Sequence, residues 1–225
     1  MNKGTVIPTM KWLTCYIRKN NCQNLLEFQS VSQGAHRPNG LLHNRRDGVL
    51  VINNAVTSAE LKGLRTTFCE WVEESRFHSE DFGQTNDGRK RFDLQSGHDA
   101  TNLALRRVQS PEEISDTYAN VMRRSKIADC CAELIGPNIR FHHGKVNSKL
   151  PGSATAVKCY QDFPFQPMPN DDMITCLLFI DDVTIENGPL EVIPGSHIGP
   201  LYSHWQNGVF TGSIEDSVIA QQQEK

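Results

Sequence analysis

The sequence predicts a mainly β domain with flanking helices, and three observations carry that expectation. Residues 173–180 (MITCLLFI) form a near-continuous apolar run between acidic pairs, the pattern of a strand buried on both faces. Turn signals crowd around it: Pro164 and Pro167 forbid a helix before it, and Asn187-Gly188 and Pro194-Gly195 mark tight turns after it. The turns leave Pro189–Ile193 as a further strand candidate. Earlier in the chain, two helical stretches each open on capping-box residues.

In chain order, residues 1–42 mix Asn, Gln, Ser and Gly with isolated apolar residues, and neither the helical nor the strand period fits for long. Residues 12–17 fit a short strand or a helical turn, but the stretch as a whole reads as a poorly structured extension ahead of a domain spanning 43–225. Val49–Ile52 (VLVI) is a candidate buried strand. Thr57-Ser58-Ala59-Glu60 is a capping box, in which Thr57 accepts from the Glu60 amide while the Glu60 carboxylate reaches back. Leu61, Leu64, Phe68 and Val72 then recur on one face, as a helix packed on a sheet requires. Residues 77–101 are polar and lack a period, so they read as a long loop. His78-Ser79-Glu80 within it has the form of a His-x-carboxylate metal pair, but a polar loop does not preorganise two ligands, and a solvated loop is the simpler reading.

Ser110-Pro111-Glu112-Glu113 combines a capping box with proline at the first helical position. Ile114, Tyr118 and Val121 mark one face, Arg123, Arg124 and Lys126 interrupt it, and Ile127, Cys130, Cys131 and Leu134 resume it before Gly136-Pro137 stops the helix. Ile139–Asn147 reads as a strand. Adjacent residues of a strand point to opposite faces, so His142 and His143 are not expected to share a site.

At 225 residues the chain can bury one sizeable core, and a composition of 38% hydrophobic and 22% charged residues excludes disorder throughout. A net charge of -3 argues against a nucleic-acid binder that relies on a basic surface. Seven cysteines, odd in number and without a C-x-x-C, predict free thiols in a reducing compartment, with Cys130 and Cys131 as core packing. No apolar run approaches the roughly 18 residues that span a bilayer. The N-terminus lacks a continuous apolar signal segment and QQQEK is not a peroxisomal address, so the cytoplasm, away from any membrane, is the default expectation.

QDFPF, NDD, DDVTIENGPLEVIPGSH and GPLYSHW resemble the phytanoyl-CoA dioxygenase family of iron(II)/2-oxoglutarate-dependent oxygenases. The likeness runs almost without gaps from about residue 140 to 212, with a weaker likeness in RDGVLVI at 46–52. It implies a double-stranded β-helix, or cupin-like jelly roll, holding one iron(II) through a His-x-Asp pair and a distant second His. It also implies 2-oxoglutarate as cofactor and a small-molecule substrate. By the same resemblance Asp162 takes the carboxylate-ligand position and Lys145 lies near the 2-oxoglutarate site.

The sequence departs from the family at that motif. Where His-x-Asp is expected it has Tyr160-Gln161-Asp162, and Cys159 stands where the family has tryptophan. The family's second iron His and its 2-oxoglutarate Arg come later than Lys225, so a jelly roll incomplete at the C-terminus is expected. Imidazole suits ferrous iron as a neutral donor, whereas a phenol must ionise from a pKa of about 10 before it can bind. Losing even a group that supports a ligand costs roughly 10- to 100-fold in affinity or activity, and losing two ligands costs more. Weak iron(II) binding and no decarboxylation of 2-oxoglutarate are expected. His197 and His204 occur in the family beside its true ligands, so they read as turn or supporting residues.

Three readings stay open: a fragment of an oxygenase, a non-catalytic relative that binds a small acid or another protein, and a local variant of an active enzyme. The resemblance implies that Cys159, Tyr160 and Asp162 lie at the end of a barrel strand with Asp162 facing inward, and the strand period puts residues 160 and 162 on one face. Open sheet edges are expected to make the chain prone to self-association.

Overall fold

The computed structural model describes residues 10–19, 46–149, 157–169 and 172–223. These residues form a mixed structure of helices and antiparallel sheets in two compact units. Met1–Ser32, Asn53–Ser153 and Met173–Pro189 make the first; Gln33–Ile52, Ala154–Asp172 and Leu190–Lys225 make the second.

The strands of the first unit are β1 (Met10–Lys19), β2 (Phe82–Gln84), β3 (Lys90–Leu94), β4 (Leu105–Gln109), β5 (Ile139–Lys149) and β6 (Met173–Phe179). They make one sheet in the order β2-β3-β4-β5-β1-β6. Its helices are α1 (Ser58–Ser75), α2 (Asp116–Arg124) and α3 (Lys126–Ile135). Alternate residues of the strands supply the core: Val108 of β4 lies opposite Val146 of β5, both fully buried, and Ile174, Cys176 and Leu178 of β6 join the same cluster. The helices cover this face with Leu64, Phe68 and Trp71 of α1, Tyr118 and Val121 of α2, and Ile127 and Cys131 of α3. Trp71 packs its ring on Tyr118 at 5.0 Å and edge-on to Phe92 at 6.1 Å. The buried Tyr118 hydroxyl donates to the Leu64 carbonyl at 3.0 Å, the partner a buried phenol requires.

The capping box predicted at Thr57 is present in full, because it needs only contacts three residues apart. Several other expectations are corrected. Met10–Lys19 is a strand paired with both β5 and β6, so the extension predicted for residues 1–42 has fixed structure there; the rest of 1–42 lies outside the described residues. Val49–Ile52 forms no strand, and Val51 is exposed. Pro189–Ile193 forms none either, although Gly188 turns the chain with φ 76°. The stretch predicted as a loop over 77–101 contains β2 and β3, joined where Phe82 stacks on its cross-strand partner Phe92. A single aromatic pair is too short a pattern to give a strand period.

The second helical stretch divides. Pro111–Glu113 is a 3-10 turn after Ser110, whose φ is 45° and whose side chain caps nothing. The α-helices instead begin at Ser115 and Ser125, each accepting from an amide in the first turn. Ile114, outside both, is exposed. Gly136 ends α3 as predicted, with φ 98°. β6 is not buried on both faces: most of its residues are half-buried, and among the described residues it pairs with β1 alone.

In the second unit β7 (Trp205–Gln206) and β8 (Val209–Phe210) form a hairpin, and α4 (Asp216–Gln223) follows. Asn207-Gly208 turns the hairpin with both φ values positive, the two-residue geometry this dipeptide favours. No helix among the described residues is long and apolar enough to cross a membrane.

Candidate functional site

The Tyr160-Gln161-Asp162 segment belongs to the second unit. Residues 157–161 are in neither helix nor strand, and Asp162, half-buried with helical φ and ψ, opens a 3-10 turn over Phe163–Phe165. The expected barrel-strand end is therefore corrected for these residues. Backbone groups outside a ladder must find partners one by one. The Cys159 carbonyl accepts from the Ile214 amide at 2.9 Å, and the Gln161 amide donates to Nε2 of His204 at 2.9 Å. Lys158 pairs with Asp216 at 2.7 Å on the surface.

His204 is buried, with 1% of its surface exposed. Its Nε2 accepts from Gln161, so Nδ1 carries the hydrogen and donates to the Tyr202 carbonyl at 3.0 Å. Gln161 reciprocates: its side-chain amide donates to the Pro200 carbonyl at 3.0 Å, and its Oε1 accepts from the Tyr202 amide at 2.9 Å. The His204 carbonyl accepts from the Thr211 amide at 2.9 Å across the hairpin.

Tyr160 places its ring edge-on to Phe165 at 5.6 Å, and Phe165 packs in turn on Phe210 at 5.3 Å and on His204 at 6.0 Å. Burial, and then the nearby Asp162 carboxylate, push the Tyr160 phenol above its ordinary pKa. That direction opposes the ionisation metal binding would need. His197 sits where the Gly48 backbone passes with φ 74°, so close that a Cβ at Gly48 would collide with the ring. The Gly195 amide donates to the Asp47 carbonyl at 2.9 Å beside it.

This donor set does not fit a ferrous site of two imidazoles and a carboxylate. Both nitrogens of His204 are engaged, Tyr160 is a phenol, and among the described residues no group of three or more His, Cys, Asp or Glu could hold a metal ion. Residues 78–80 lie in neither helix nor strand with Ser79 and Glu80 exposed, the solvated loop expected there, and within it the His78 ring stacks on Phe82 at 3.7 Å. Lys145 is on β5 in the first unit, half-buried, with Gln109 of β4 and Thr14 of β1 as its neighbours in register.

A second group of titratable residues, in the first unit, was not anticipated. The register between β1 and β5 passes from Tyr16 opposite His143 to Ile17 opposite Phe141, a β-bulge at His142. The bulge turns both imidazoles to one side, with their Nδ1 atoms 2.7 Å apart, so the expectation that they diverge is corrected. Burial, with His142 and Lys145 adding to it, pushes His143 down to about 4. Burial pushes Glu112 up to about 7, and its Oε2 is buried without a hydrogen-bond partner among the described residues. Next to it the buried Arg91 pairs with Glu113 at 2.5 Å and donates to the carbonyls of Gln84, Gln109 and Ser110. The adjacency of two histidines was the only sequence signal here, and a bulge leaves no local pattern.

Residues 44–212 match the family described as Phytanoyl-CoA dioxygenase (PhyH). The chain is 38% identical over 129 residues to a Stutzerimonas stutzeri protein named "Probable alpha-ketoglutarate-dependent hypophosphite dioxygenase", covering 56% of this chain and 44% of that one. It is 29% identical over 159 residues to the L-proline trans-4-hydroxylase of Streptomyces griseoviridis, covering 68% and 53%. It is 27% identical over 173 residues to the human peroxisomal phytanoyl-CoA dioxygenase, covering 72% and 49%. The chain thus spans about half the length of these curated relatives. No solved structure matches it.

Proposed function

This chain belongs to the phytanoyl-CoA dioxygenase family of iron(II)/2-oxoglutarate-dependent oxygenases, and we propose that as these 225 residues it is a partial, catalytically silent form of that oxygenase domain. On this reading residues 43–225 make an incomplete cupin-like jelly roll, Asp162 holds the carboxylate-ligand position, Tyr160 replaces the imidazole, and Lys145 lies toward the 2-oxoglutarate side. Iron(II) and 2-oxoglutarate are the cofactors of the family chemistry, acting on a small molecule. The observation that carries the silent reading is Tyr160, whose ring is packed on Phe165 where the family chemistry needs a neutral nitrogen donor.

The experiment is a succinate assay on the purified chain with iron(II), 2-oxoglutarate and reductant. No succinate above a metal-free control is expected, and Tyr160→His alone should not restore it, because one added imidazole still leaves the donor set short. Succinate above the control would overturn the proposal.

The same packing of Tyr160 favours a second reading, a non-catalytic relative that binds a small acid or another protein. A rise in Tm with 2-oxoglutarate in the presence of chelator would support it, and an unchanged Tm up to millimolar ligand would count against the small-acid form. Self-association through the outer edge of β6 is also proposed, since that strand is apolar and paired on one side among the described residues. Light scattering that stays at monomer mass across a wide concentration range would remove it.

A further inference from the structure

We infer that His204 is the positioning residue for the Tyr160-Gln161-Asp162 segment, holding it by accepting from the Gln161 backbone with one ring nitrogen and donating to the Tyr202 backbone with the other. The inference rests on the reading that this segment stands in the family's motif place, but it invokes no metal. Residues 157–161 have no ladder, so their path is set by whichever side chains satisfy their backbone. Gln161 lies between the two residues that would meet a ligand, and its amide is the point where the segment is gripped.

Few side chains can do this. The site asks for an acceptor facing Gln161 and a donor facing Tyr202, inside a space with 1% exposure. Neutral imidazole offers both on one rigid ring; carboxylates only accept, and lysine and arginine only donate. Gln161 then uses its side-chain oxygen on the Tyr202 amide and its nitrogen on the Pro200 carbonyl. Tyr202 is therefore held at both its amide and its carbonyl, and Gln161 at its backbone amide and both side-chain ends. Behind the ring, the Thr211 amide and hydroxyl both donate to the His204 carbonyl, tying the clamp to the β7–β8 hairpin. Phe165, which touches Tyr160, packs on the His204 ring as well. The orientation of Tyr160 and the turn that begins at Asp162 thus depend on one imidazole 43 residues away.

The test uses the full chain and a reporter already in it. Cys159 is exposed next to the gripped segment, while Cys69 is exposed on α1 in the first unit and serves as internal control. Alkylation with iodoacetamide, read by peptide mass spectrometry, gives the Cys159/Cys69 rate ratio. His204→Phe keeps an aromatic ring but removes both bonds, and should raise that ratio roughly tenfold, as expected when one or two buried hydrogen bonds are lost from a local opening equilibrium. His204→Gln keeps one donor and one acceptor and should restore most of the wild-type ratio, a rescue that a ring needed only for packing would not give. If His204→Phe fails to fold, Gln161→Leu removes two of the clamp bonds with the imidazole intact and should raise the ratio in the same direction. In the unmodified chain, long-range 1H–15N spectra should show His204 protonated at Nδ1 and not at Nε2. A ratio unchanged in His204→Phe, or a His204 protonated at Nε2, overturns the inference. Neither readout requires iron or 2-oxoglutarate, so failure of the clamp and failure of the functional reading are separated by the succinate assay.

Discussion

The β5-β1-β6 part of the sheet and the 157–166 segment satisfy their backbones in opposite ways. β1 pairs with β5 from Met10 to Lys19 and with β6 from Trp12 to Arg18, so hydrogen bonds run along both of its edges. The 157–166 segment has no ladder and is held at separate points by His204, Ile214 and its own 3-10 turn. A ladder shares its strength over many residues, so one side chain matters little to its path. A pinned segment concentrates its geometry in a few bonds, so one side chain can move it. His98 shows the same device in the first unit: its Nδ1 accepts from the Ala104 amide while its Nε2 bonds the Ser75 carbonyl.

The sharpest way to break this contrast is to remove the ladder. Deleting residues 1–19 takes away β1, and with it the only strand that β6 pairs with among the described residues. Net stabilities of about 5–15 kcal/mol do not survive the loss of a central strand, so the cooperative thermal transition should vanish in circular dichroism. A sigmoidal melt at the wild-type Tm would mean that β1 contributes little.

Next in size is the core beneath that sheet. Phe68 is 1% exposed against Trp71, and Phe68→Ala should cost about 3–5 kcal/mol in urea titration. His204→Phe should leave most of that stability in place while freeing the motif segment, which is the contrast in a single pair of variants.

Two half-buried groups near the β5 bulge give opposing pH dependences. Glu112 is held up at about 7 against an ordinary 4.5, so between those values the folded chain binds more protons than the unfolded one. Its contribution to stability is present in acid and is lost as pH rises toward 7. His143 is held down at about 4 against 6.5, so the unfolded chain binds more protons in that window, and its contribution is lost as pH falls through it. Glu112→Gln should therefore gain on the wild type as pH rises from 5 to 7.5, and His143→Phe should gain as pH falls from 6.5 to 4.5, both by denaturant titration at stepped pH. Parallel curves for either pair would remove that group from the account. The smallest effect is at the α1 cap, where Thr57→Ala should cost about 1 kcal/mol.

What could be read from the sequence follows the range of the interaction. The α1 cap was legible because Thr57 and Glu60 are three residues apart, and the α3 stop because Gly136 needs only its own φ. The family was legible because its motifs, among them QDFPF and ENGPLEVIPGSH, are continuous in the sequence. β1 was legible only as an undecided strand or helical turn over residues 12–17, because its partners are more than a hundred residues away, and Cys15 meets Gly144 on one side and Cys176 on the other. The His142–His143 contact was hidden because a bulge reverses the alternation on which strand reading depends. His204 reads from the sequence as a family feature and not a spare ligand, but its hold on Gln161 could not be inferred, since nothing local links them. The β7–β8 hairpin carries a local signal, Asn207-Gly208, in its turn.

The contrast between ladder and pinned segment is tested most directly by native-state hydrogen exchange on the intact chain. Amides of β1 that face β5 or β6 should exchange together with those of β5, at the slow rate of global unfolding. The Gln161 amide should be protected but exchange faster, through local opening, and should lose that protection in His204→Phe while β1 is unchanged. Exchange of β1 at solvent rates, or a Gln161 amide that follows the sheet in every variant, would contradict the account.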